Sequence, residues 1–147
     1  MHNPVNFSLA DLKPVPPIQG WEEFLHEGKA FRQAAAAAYA GRKKAFTPEI
    51  LYNIIAMAIE KFVMAALMRH GKMPYNHTMR DLVEAIDEAF PGALNEIRAG
   101  LLTFDAYQDI CDLEGFSIIP PDIKEIPFML DLAAKMQIFA IQVTAAN

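Results

Sequence analysis

Acid–base chemistry needs an imidazole, a carboxylate or a thiol held where a substrate can reach it, and this chain offers few such groups. Its four histidines are His2, His26, His70 and His77, so nothing after residue 77 can act as an imidazole base. His70 and His77 flank a short stretch containing Tyr75. Either could be a general acid or base, and capping of the adjacent helix ends is the plainer account of both. Glu60 lies midway along the most apolar segment, where an ionised carboxylate needs a partner. It could be a general base, or it could pair with a cation such as Arg80 or with a basic residue of another subunit. Glu60, His70 and His77 are therefore the catalytic candidates.

Metal and nucleophile chemistry find less support. Glu23 and His26 make a single Glu-x-x-His, but carboxylate-bridged dimetal bundles need a second copy, and there is none. Asp105, Asp109 and Asp112 form an acidic strip at helical spacing, for which a solvated face is the plain account. Cys111 is the one cysteine, which excludes an internal disulfide and any Cys-x-x-Cys pair. Serine occurs only at Ser8 and Ser117, and no nucleophile elbow, phosphate-binding glycine loop or zinc-protease pair is present. The expectation is no metal site and no cofactor.

These residues must be positioned by a core, and the composition supplies one. Hydrophobic residues make up 53% of the 147 positions, enough to offset the entropy of ordering a chain of this size. The net charge of −5 argues against binding nucleic acid mainly through phosphate neutralisation. The one basic cluster, Arg42-Lys43-Lys44, follows a helix whose negative end cations would complement. The opening residues lack the basic-then-apolar pattern of a secretory signal, and Asn53 with Glu60-Lys61 interrupts the longest apolar run. A cytoplasmic protein with no membrane association is expected.

Periodicity predicts an all-α fold: a four-helix up-and-down bundle with one additional short helix. Residues 1–20 carry Pro4, Pro14, Pro16 and Pro17 and read as an extended arm; residues 21–147 read as one helical-bundle domain. The first helix runs from Trp21 to about Tyr39 through the run Ala34 to Ala38. Thr47-Pro48-Glu49 opens the second, which ends near Arg69 with Gly71 as its stop. Met57, Met64 and Met68 make that helix apolar almost all round, the mark of a central element or a subunit interface. Thr78 and Asp81 match a capping box at the head of the third helix, which ends at Pro91-Gly92. Leu94, Ile97, Leu101, Leu102, Phe104, Ile110 and Leu113 trace a fourth, and Ile123 to Val143 a fifth whose start Pro127 kinks or delays.

The segments Ala58-Ile59-Glu60-Lys61-Phe62, Ala65-Ala66-Leu67, Gly71, Pro74 and His77-Thr78-Met79-Arg80-Asp81-Leu82 resemble the HEPN family over residues 20–90. Its members are small helical bundles whose second helix carries an Ala-x-Glu-Lys core and whose third begins His-[Ser/Thr]-Leu-x-x-Leu. The resemblance implies a dimer, a minimal nucleotidyltransferase as partner and, in some branches, ribonuclease activity. It also departs from the family. The ribonuclease branches use Arg-x4–6-His, whereas seven residues separate Arg69 from His77 here, and Met64 replaces a lysine common in the second helix.

The expectation is a non-catalytic homodimer that binds a partner protein or a ligand, with Glu60, Lys61, Tyr75, His77, Arg80 and Tyr107 as the ligand-binding candidates. The competing reading is an enzyme, either an RNase or a metal-dependent hydrolase, using Glu60, His70 and His77 with the aspartates of the fourth helix. A third is a bundle whose interior holds a hydrophobic or nucleotide-like ligand.

Overall fold

A computed structural model of the chain describes residues 15–107 and 121–145. Its elements, in order, are α1 (Trp21–Ala40), α2 (Pro48–Arg69), α3 (Met79–Ala89), α4 (Arg98–Leu102), a 3-10 turn (Thr103–Tyr107), a second 3-10 turn (Ile123–Glu125) and α5 (Ile126–Ala145). Among the described residues there is no strand, so the fold is all-helical.

The start signals act as their chemistry requires. The Thr47 hydroxyl accepts the Ile50 amide at 3.2 Å, and that of Thr78 accepts the Asp81 amide at 3.1 Å, so each helix head has an orphan donor satisfied. α2 stops at Gly71, which takes φ 72. The amides of Gly71 and Lys72 return to the carbonyls of Met68 and Leu67, the doubled bond of a Schellman cap. Only glycine fits at that position, because a β-carbon there would lie 2.5 Å from Val15 and 2.8 Å from the Pro16 carbonyl oxygen. Residues 15–18 lie here against the end of α2, with the Ile18 amide bonded to the Met68 carbonyl at 2.7 Å. Residues 1–14 of the expected arm lie outside the described residues.

α2 is the central element. Phe62 through Met68 are all buried, Met64 among them. α1 and α5 pack on it and on each other, while α3 packs on another side. Against α1 the approach is close: Gly28 faces Phe62 so tightly that a β-carbon would lie 2.7 Å from the ring. α2 and the stretch Ile123–Ala145 are long and apolar enough to cross a membrane by length and composition alone. In the folded chain 61% of the first window is buried, which a core helix also satisfies.

One expectation needs revision. The apolar period through Leu94, Ile97, Leu101 and Phe104 marks a truly buried face, yet the chain there is turn, one short α-helix and a 3-10 turn rather than a continuous helix. Gly92 at φ 81 opens it in a turn, and the Thr103 hydroxyl bonds the Gly100 carbonyl, drawing the chain into the tighter 3-10 coil. Ile110 and Leu113 lie outside the described residues. Direction follows from two contacts. Leu51 and Ile123, at the starts of α2 and α5, wall one cavity, and His70 and Val143, at their ends, are hydrogen-bonded. α2 and α5 therefore run in the same sense, the chain returning between them through residues 91–107.

Candidate functional site

Glu60 sits on the face of α2 that looks toward the head of α3. There the His77 Nδ1 lies 2.7 Å from Glu60 Oε1. A carboxylate can only accept, so the imidazole donates through Nδ1 and its Nε2 is left without a partner among the described residues. The pair is open to solvent: 36% of the Glu60 side chain and 53% of the His77 side chain are exposed. Glu60 is thus neither sealed in the core nor paired with Arg80 as expected. Arg80 occupies the second position of α3 and is exposed, and what it brings to this region is its backbone amide.

Beside the pair is a cavity of about 210 Å³ whose walls include Tyr52, Asn53, Met57, Glu60, Met79 and Asp105. Asp105 accepts the amides of Met79 and Arg80, each at 2.9 Å, so both its oxygens are occupied in capping α3. It is therefore not part of a solvated strip; Asp109 and Asp112 lie outside the described residues. Tyr52 is buried, donates to the Phe104 carbonyl at 2.6 Å and stacks on the Phe104 ring. Burial, then the nearby Asp105 charge, pushes its hydroxyl well above the usual tyrosine range. Tyr107 packs edge-on against Tyr52 and donates to Glu125 Oε2 at 2.7 Å. That bond, with some burial and the Glu125 charge, pushes Tyr107 up to about 12.

The remaining sequence candidates are dispersed. His70 stands ten residues beyond Glu60, about 15 Å along the helix axis. Its Nε2–H donates to the Val143 carbonyl at 2.7 Å, and its ring meets Phe90 edge-on. It ties the end of α2 to the last turn of α5. Lys61 turns the other way, pairing with Glu27 at 2.8 Å over the Phe24 ring. Tyr75 is 92% exposed in the loop. Glu23 and His26 are exposed on α1, and the described residues contain no cluster of three metal-binding side chains.

Sequence reasoning missed Tyr52 and the capping role of Asp105. A hydroxyl-bearing ring on an otherwise apolar helix was the available signal for the first, since a buried tyrosine seeks a partner for its hydroxyl. Nothing local marks the second, because the amides that Asp105 serves are far away in sequence. Comparison of the chain with family models, curated proteins and solved structures finds no match.

Proposed function

We propose that the chain is a HEPN-like helical-bundle protein that binds rather than reacts, working in the cytoplasm as a homodimer. The partner class implied by the resemblance is a minimal nucleotidyltransferase, and no membrane or nucleic acid enters the reading. In it, α1, α2, α3 and α5 are the four helices of the bundle and α4 is the short extra one.

The observation that carries the dimer is the outer face of the second half of α5, where Ile138 is 58% exposed and Ile141 40%. Large apolar side chains on one helix face are usually covered by a second surface, and a two-fold dimer is the commonest way for a protein to cover its own. The HEPN likeness is supported by the meeting of the two stretches that carry it, through Glu60 and His77. At about 210 Å³ the adjoining cavity is smaller than the roughly 300–1,000 Å³ of ligand pockets, which favours contact with a partner surface over enclosure of a nucleotide. Light scattering of the purified chain at micromolar concentration is expected to give the dimer mass; a monomer would remove the claim.

One observation favours a catalytic reading. A carboxylate on Nδ1 with a free Nε2 is the arrangement that makes histidine a general base for activating water. His70 has no part in it. If the pair is catalytic, His77→Ala should lower cleavage of a single-stranded RNA by 100-fold or so, in keeping with the usual worth of general-base catalysis. Equal rates in wild type and variant exclude it.

A further inference from the structure

The end of α1 holds a second cavity, of about 420 Å³, whose walls include Tyr39, Arg42, Lys43, Phe46, Leu51 and Ile123. Its size falls within the range of pockets that enclose small organic ligands. One side is apolar and the other carries two cations, neither of which makes an ion pair among the described residues.

The cations are not needed to cap the helix. The carbonyls of Ala37, Ala38 and Tyr39 already accept the amides of Gly41, Lys43 and Arg42 at 2.9, 3.2 and 3.1 Å. This is the same doubled cap that ends α2, but the left-handed position filled there by Gly71 is filled here by Arg42, at φ 47. Gly41 precedes it with an ordinary φ of −79. A β-carbon is thus held where glycine would sit at ease, and the residue bearing it forms part of the cavity wall. The acids that flank Ile123 in sequence are bonded elsewhere: Asp122 accepts the Lys124 amide, and Glu125 accepts the Tyr107 hydroxyl.

We propose that this cavity binds a small amphipathic carboxylate. The apolar body lies against Phe46, Leu51 and Ile123, and the head group is held by the guanidinium of Arg42 and the ammonium of Lys43, since a planar guanidinium matches a carboxylate in two parallel hydrogen bonds.

Isothermal titration with octanoate tests this, with octanol as the uncharged control and inorganic phosphate as the control without an apolar body. Octanoate is expected to bind one per chain, octanol at least ~10-fold more weakly, and phosphate without measurable heat, because a charge-assisted hydrogen bond is worth about a factor of ten or more. Arg42→Gly should weaken octanoate by ~10-fold or more while its unfolding temperature stays level or rises, which separates lost binding from lost folding. Ile123→Trp, at a site 45% exposed, should block the cavity and abolish binding. Octanol matching octanoate, unchanged affinity in either variant, a lower unfolding temperature in Arg42→Gly, or no heat with octanoate would each overturn the proposal.

Discussion

Hydroxyl and imidazole groups in this molecule are spent mostly on holding elements together. His70 secures the end of α5, Tyr52 secures Phe104, and Tyr107 secures Glu125 at the approach to α5. The Tyr107 bond has a consequence in alkali. Its hydroxyl is pushed up to about 12, whereas a tyrosine in the unfolded chain titrates near 10. The native state favours the neutral form, so this contribution to stability is whole below pH ~10 and disappears as the pH climbs from about 10 to about 12. Urea midpoints should fall across that window, and phenolate absorbance should show Glu125→Ala bringing the Tyr107 midpoint back toward 10. A Tyr107 midpoint unaffected by Glu125→Ala would mean that the bond is not made in solution. At this scale the sequence was only partly legible. Residue types identified Glu60 and His77 as reactive, but which group each would meet depended on a chain reversal between them that no local spacing encodes.

Helix heads and stops were far easier to read, because capping is local chemistry. Thr47, Thr78 and Gly71 each act within three residues of themselves. The segment after Gly92 was misread for an equally physical reason: apolar residues three and four apart bury one face of a 3-10 coil or a string of turns almost as well as one face of an α-helix. The seam between α1 and α2 yields a sharp test at Gly28. Alanine there gains up to ~1 kcal/mol of helix propensity, but its β-carbon would meet the fully buried Phe62 ring, and overpacking a core costs about 1–3 kcal/mol. Overpacking should win, with a net loss of up to roughly 2 kcal/mol in chemical unfolding. Phe62→Leu in the same chain should recover part of it, since it frees the space the methyl needs. A Gly28→Ala protein as stable as wild type would mean that the seam is looser than 2.7 Å.

Across the whole molecule, the apolar surplus of the sequence was legible as an amount but not as a location. α2 read as apolar almost all round and uses its surplus as the central helix, while α5 leaves Ile138 and Ile141 outside on one face. If that face joins two copies, Ile138→Lys should shift the monomer–dimer equilibrium by ten-fold or more toward monomer in light scattering. An exposed substitution of this kind changes the stability of the monomer by only about 0.5 kcal/mol. A dimer that survives the change must use another face. The shared direction of α2 and α5 also bears on how the chain reaches its native state. The α1–α2 hairpin joins neighbours in sequence and can close early, but α5 can dock only after everything between Arg69 and Ile126 has been gathered in, an entropic toll that hairpin contacts do not share. Refolding should therefore be governed by the arrival of the C-terminal helix, and a ribosome-bound chain still lacking it would expose the side of α2 that α5 later covers.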